Sequence, residues 1–149
     1  MKIKFKIATP ERVVYQDEVD QVILPTKMGE ITVLPNHLPI VSALKPGEIL
    51  IFKDTEQIPL AVSGGFAELN ENSMVILADT AERVEEIDEA RAEAGRARAK
   101  DLLEQKRGAE AVDYTALAAK LEKELARLKV ARKYKTARPG IRIEKDNQN

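Results

Sequence analysis

Residues 76–100 read ILADTAERVEEIDEARAEAGRARAK, and the chain changes character inside them. The first residues still belong to a short apolar run of the kind a strand makes. From residue 85 to residue 106, Ala, Glu, Arg, Leu and Lys dominate, all good helix formers. The turn residues that punctuate the earlier chain stop there. Gly95 is the one weak position in the run. This reading predicts a β unit over 1–84 and a helical unit over 85–134.

Upstream of the change, Lys2, Lys4 and Lys6 alternate with Ile3, Phe5 and Ile7, the period of a half-buried strand. Further short runs, rich in Val and Ile, cover 12–16, 19–24, 30–34, 48–53, 58–62, 65–69 and 73–78. Turn residues separate them at 26–29, 35–36, 45–47, 64–65 and 70–72. Many short strands at close spacing predict an all-β sandwich or flattened barrel.

Downstream, Gly108 breaks the first helix and Asp113 is an N-cap candidate for a second. The second helix carries Leu117, Leu121, Leu125 and Leu128 as a single apolar stripe. Two helices of about 20 residues make an antiparallel hairpin about 30 Å long. The first presents Ile87, Ala90, Ala94 and Ala97, and later Leu102 and Leu103. Alanine buries little apolar area, so the anchoring of this hairpin is expected to be modest. Two readings stand: a static Ala-rich hairpin with close backbone packing, or a movable element. Residues 135–149 contain Pro139, Gly140 and mostly polar groups, which reads as a flexible polar and basic tail.

Composition removes several function classes. The chain has 149 residues, 44% hydrophobic and 33% charged, with 24 basic against 25 acidic residues and a net charge of −1. A global basic field for nucleic acid is therefore absent. There is no Cys and one His, which excludes disulfides, thiolate chemistry and multi-His metal sites. The N-terminus lacks the continuous apolar core of a signal peptide. No apolar run approaches the roughly 20 residues of a membrane helix, so any membrane link must come through partners. No nucleophile–base pair or placed carboxylate pair is visible, and no catalytic or metal residue is assigned. Gly64 and Gly65 are not a phosphate loop, since no G-x-x-x-x-G-K-[ST] or G-x-G-x-x-G pattern exists. They read as positive-φ or close-approach positions. His37, in a loop flanked by Pro35 and Pro39, reads first as a hydrogen-bonded loop residue.

Three segments carry a resemblance. Residues 29–39, GEITVLPNHLP, with 43–47, ALKPG, form the first; 63–68, SGGFAE, with 75–79, VILAD, the second; 87–92, IDEARA, the third. In this order and spacing they resemble the ATP synthase epsilon subunit family, called delta in mitochondria, over residues 2 to about 134. The resemblance implies a ten-strand β-sandwich followed by the hairpin. It implies a non-catalytic rotor subunit that couples ion translocation to ATP synthesis and whose sandwich binds the gamma subunit and the c-ring. The hairpin would inhibit ATP hydrolysis when extended towards the catalytic alpha and beta subunits. Location would be peripheral, on the cytoplasmic face of the cell membrane, with no direct insertion.

The resemblance also assigns roles to residues. Glu30 and His37 become candidates for contact with the c-ring. Glu82, Ile87, Asp88, Arg91, Ala92, Arg98, Lys123 and Arg127 match the positions where nucleotide-sensing members bind regulatory ATP; no cofactor is required. On chemistry alone, Asp88 and Arg91 lie at i and i+3 and also read as a surface ion pair. Lys123 stands where the sensing pattern has an arginine, so bidentate phosphate contact is lost there and affinity is expected to be weaker. From residue 127 onward, Arg127, Lys129, Arg132, Lys133, Lys135, Arg138, Arg142 and Lys145 face only Glu144 and Asp146. Cations near a helix C-terminus suit its dipole. The tract lacks base-stacking aromatics beyond Tyr134, which argues against nucleic acid. The family offers an acidic segment of the beta subunit, with Arg127, Arg132 and Lys133 as the docking charges. The competing reading is a free-standing β-sandwich adaptor or ATP-sensing module.

Overall fold

A computed structural model of the chain describes residues 1–105 and 114–135. The expected Gly108 break, the Asp113 cap and all of the expected 135–149 tail but its first residue lie outside the described residues; that residue, Lys135, is helical. The chain divides after Arg83 into two units, and each is taken by itself.

The first unit is one ten-stranded, nearly closed sheet. Its strands are β1 (Ile3–Ala8), β2 (Val13–Val19), β3 (Gln21–Thr26), β4 (Gly29–Val33), β5 (Ile40–Leu44), β6 (Gly47–Lys53), β7 (Glu56–Val62), β8 (Gly65–Asn70), β9 (Ser73–Ala78) and β10 (Ala81–Arg83). They are ordered β10-β7-β6-β3-β5-β8-β9-β1-β2, with β4 paired to β3. The pairings are antiparallel except β1 with β9, which is parallel. Period-2 alternation builds the interior. In β1, Ile3, Phe5 and Ile7 are buried; in β9, Met74, Ile76 and Ala78 are. They pack with Val22, Leu24, Leu44, Ile49, Ile51, Leu60 and Leu69 in one cluster.

Local chemistry sets the turns. Glu71 and Asn72 join β8 to β9 with φ of 48° and 59°, the left-handed pair that a two-residue hairpin turn requires. Gly64 and Gly65 have φ of 129° and 132°, and a Cβ on Gly65 would collide with the Leu77 carbonyl. Both readings of that glycine pair, positive φ and close approach, therefore apply. The two end strands meet through Arg83. Its guanidinium, on β10, donates to the Val14 carbonyl of β2 at 3.5 Å and lies 5.5 Å from the Tyr15 ring centroid.

Two strands are missing from the apolar runs read in the sequence. β5 is hemmed between Pro39 and Pro46, and β10 is three residues of helix-favouring Ala, Glu and Arg. Pairing to β8 and β7 makes them strands, a tertiary override of local preference. The run at 19–24 is also divided: Val19 ends β2, and β3 begins at Gln21.

The second unit holds a short 3₁₀ turn, Val84–Glu86, then α1 (Glu89–Gln105) and α2 (Tyr114–Lys135). The α-helix begins at Glu89 rather than at residue 85 because Asp88 caps it. The Arg91 amide donates to Asp88 Oδ1 at 3.1 Å, and the Ala92 amide to the Asp88 carbonyl at 2.9 Å. The helices are antiparallel. Lys135 Nζ, at the end of α2, donates to the Ile87 carbonyl just before α1, and Gly95 meets Glu124 near the middle.

The apolar faces differ from expectation. Ala90, Ala94 and Ala97 are exposed, and α1 buries Ala92, Gly95 and Ala99 instead. In α2, Leu125 is 46% exposed and leaves the expected stripe, while Glu124, Ala126, Leu128, Val130 and Ala131 are buried. Alanine recurs so often along α1 that several lines across it are equally apolar. The choice among them falls to the partner helix, whose Glu124 side chain needs the space above Gly95.

Candidate functional site

Helix phase arranges the charges of the second unit along two sides of the α1/α2 seam. At about 100° per residue, Glu89 and Glu93 lie on one flank of the line formed by Ala92, Gly95 and Ala99. Arg132 of α2 meets them there, with Nη2 3.1 Å from Glu93 Oε2 and Nε 4.0 Å from Glu89 Oε1. The Arg96 guanidinium, which binds the Glu93 carboxylate through Nε at 2.9 Å, and Arg132 across the seam hold Glu93 below the usual carboxylate value of 4.5.

Arg91 and Arg98 fall on the opposite flank of α1. By the same phase, Lys123 and Arg127 fall on the flank of α2 that runs beside them. The helix pair thus brings four of the nucleotide candidates to one side. Arg91 and Arg98 are exposed; Lys123 is half-buried. Arg127 is already engaged: Nη1 lies 2.8 Å from Glu124 Oε2, with both side chains largely buried. Asp88 is exposed at the start of this flank, its carboxylate bound to the Arg91 amide rather than set against the Arg91 guanidinium as an i, i+3 pair. Ile87 and Ala92 are buried. Glu82 lies on β10 of the sheet unit, in register with Ala61. Guanidinium forks and an ammonium group so placed can chelate phosphate oxygens.

The interface candidates divide between the two units. Glu30 is exposed on β4, paired with Pro25 of β3. His37 follows β4 in a loop closed by its own amide donating to the Leu34 carbonyl at 3.1 Å. That loop is braced to the β8–β9 turn: the Asn36 amide donates to Asn72 Oδ1 at 2.6 Å, and Asn72 Nδ2 to Asn36 Oδ1 at 3.3 Å. His37 Nδ1 lies 2.7 Å from the Leu38 carbonyl, and Leu38 itself is 79% exposed. Near the end of α2, Arg132 and Lys133 are exposed, the Lys133 ammonium 5.1 Å from the Tyr134 ring centroid. Arg138, Arg142 and Lys145 lie outside the described residues.

The sequence reading missed one surface. Strand register aligns Ala43, Phe66, Leu77, Ala8 and Val13 in a single row across β5, β8, β9, β1 and β2. This row points away from the core, and Phe66 and Leu77 are each more than 60% exposed. Val41 and Val75 extend the patch in the adjacent row. An apolar row on an exposed sheet face is the mark of a docking surface. The signal that could have revealed it is β9 itself. Residues 74–78, MVILA, are apolar without alternation, the pattern of a strand covered on both faces.

Among the described residues no helix is long and apolar enough to cross a membrane. Comparison with known proteins gives a consistent result. The family model for the β-sandwich domain of the ATP synthase delta/epsilon chain matches residues 2–84, and the model for its long α-helix domain matches 85–132. The ATP synthase epsilon chain of Chloroflexus aggregans is 48% identical over 138 residues, covering 93% of this chain and 98% of the relative. That of Herpetosiphon aurantiacus is 42% identical over 132 residues, covering 89% and 96%. A chain in the cryo-EM structure of the Euglena gracilis mitochondrial ATP synthase (OSCP/F1/c-ring) superposes with a TM-score of 0.69 at 22% identity. It covers 81% of this chain and 76% of that one, and supports the fold. Two family models that together span residues 2–132, and relatives matched over nearly their whole length, carry the conclusion that this chain belongs to the ATP synthase delta/epsilon family.

Proposed function

We propose that the chain is a non-catalytic central-stalk subunit of the ATP synthase, with the sheet unit for attachment and the helical hairpin for control. The observation that carries attachment is the exposed apolar row of Phe66, Leu77 and Val13. An exposed apolar row of this kind marks an interaction surface, and the gamma subunit is the partner proposed for it. Glu30 and the braced His37 loop are proposed for the c-ring. Localisation follows from that assembly: peripheral, on the cytoplasmic face of the membrane.

Control is proposed for the hairpin. Its seam is lined on the α1 side by Ala92, Gly95 and Ala99, and so parts at low cost. The basic end of α2, including exposed Lys129, Arg132 and Lys133, would dock on an acidic segment of the beta subunit and brake hydrolysis. Arg91, Arg98, Lys123 and Arg127 would take ATP as a regulatory ligand that favours the closed hairpin.

Reconstitution of the gamma-containing catalytic complex tests this. Full-length protein should bind the complex and lower its ATPase rate. A truncation after residue 84 should bind and leave the rate unchanged. Phe66→Asp with Leu77→Asp should abolish co-purification with gamma while the sheet stays folded. Retained binding by that double variant would remove the apolar row from the interface. Charge reversal at Lys129 and Lys133 should relieve the inhibition, most visibly at low salt; an unchanged rate would locate the brake elsewhere.

A further inference from the structure

The Glu124–Arg127 pair is more buried than the Glu93–Arg96 and Glu93–Arg132 pairs of the helical unit. Its two side chains are only 9% and 13% exposed, against 62% for Arg132. A carboxylate withdrawn from water to this degree is unfavourable unless a cation holds it. The backbone makes room for it. A Cβ on Gly95 would stand 3.0 Å from Glu124 Cδ and 3.2 Å from Oε1. Glycine weakens a helix interior, and here it keeps open the space that the carboxylate fills. Phase places this carboxylate beside the flank shared by Arg91, Arg98, Lys123 and Arg127.

We propose that Glu124 is a built-in stand-in for a nucleotide phosphate, holding the Arg127 guanidinium in the closed seam and thereby setting how much ATP is needed to occupy the site. This rests on the nucleotide reading above and adds its specificity-determining residue. The carboxylate and a phosphate ask for the same guanidinium fork. Without nucleotide, Glu124 holds the Arg127 guanidinium within α2. With nucleotide, a phosphate oxygen that takes Nη1 displaces the Glu124 oxygen, so part of the binding energy goes into breaking the internal pair. The site is thereby biased toward high ATP concentrations.

Calorimetric titration of ATP into the full-length chain tests this, using wild type, Glu124→Gln, Gly95→Ala and the control Glu122→Gln, which neutralises an exposed acid two residues away. Glu124→Gln keeps the shape and removes the charge, and should bind ATP about tenfold tighter. Gly95→Ala should act in the same direction, because its methyl group crowds the carboxyl off its seat while favouring the helix. Glu122→Gln should leave affinity unchanged within about twofold. The inference is overturned, with the nucleotide reading intact, if wild type binds ATP and Glu124→Gln binds no tighter, or if Glu122→Gln gains as much. If none of the four takes up ATP at millimolar concentration, the nucleotide reading fails and this inference with it.

Discussion

The two units of this chain are held together with different materials. The sheet unit fills its interior with Ile3, Phe5, Ile7, Leu24, Ile49, Ile51, Leu60, Leu69, Met74 and Ile76, all essentially inaccessible to solvent. Each such side chain contributes about 1.5–3 kcal/mol by leaving water. The α1 side of the helical seam offers Ala92, Gly95 and Ala99, where a buried methyl contributes roughly 0.8 kcal/mol. Polar contacts across the seam supply much of the definition there: Arg132 with Glu89 and Glu93, and Lys135 with the Ile87 carbonyl. Large apolar side chains make a platform that unfolds as a whole or not at all. Small side chains and ion pairs make a seam that is specific in register and low in cohesion, as the control role proposed for the hairpin requires.

The largest expected effect comes from cutting the platform. Ile76→Ala should cost about 3 kcal/mol of stability in urea unfolding, with amide exchange rising across β8 and β9. If α1 amides lose protection in equal measure, the two units form one cooperative block and the contrast fails. Leu128→Ala, the matching change in α2, should cost about 2 kcal/mol and leave exchange in β8 and β9 unaltered. Asp88→Ala removes the α1 cap and should cost about 1 kcal/mol, read as lost helicity with the sheet signal unchanged.

Acid gives the smallest effect and touches both units. In the sheet, Lys53 bonded to Asp17, and Lys2 bonded to Asp54 at 2.7 Å, hold both aspartates below 3.8. In the hairpin, Arg96 and then Arg132 hold Glu93 below 4.5. A depressed carboxylate stabilises the fold above its unfolded value, and the gain is lost as pH falls through the folded one. Stability should therefore hold at about pH 6 and decline below about pH 4. The hairpin, with less apolar burial to fall back on, should loosen first. Helicity that outlasts the sheet on acidification would reverse the comparison.

Local rules made much of this molecule legible before any tertiary contact was known. Lys and apolar residues alternating through β1, and turn residues at 64–65 and 70–72, specify strands because strand period and positive φ are properties of a few neighbouring residues. Sustained Ala, Glu, Arg and Lys after residue 85 specify helix for the same reason. The motif residues Ile87, Asp88, Arg91 and Ala92 could be named as candidates from spacing and resemblance, but spacing could not show that Asp88 spends its carboxylate capping α1. What the tertiary structure alone decided is which surfaces face one another. Pairing to distant strands made β5 and β10. Register across five strands assembled Phe66, Leu77 and Val13 into one exposed row. Among several equally apolar lines along α1, the Glu124 side chain selected the one that passes through Gly95. Those outcomes depend on the shape of a partner far away in the chain, and local sequence period carries no information about that shape.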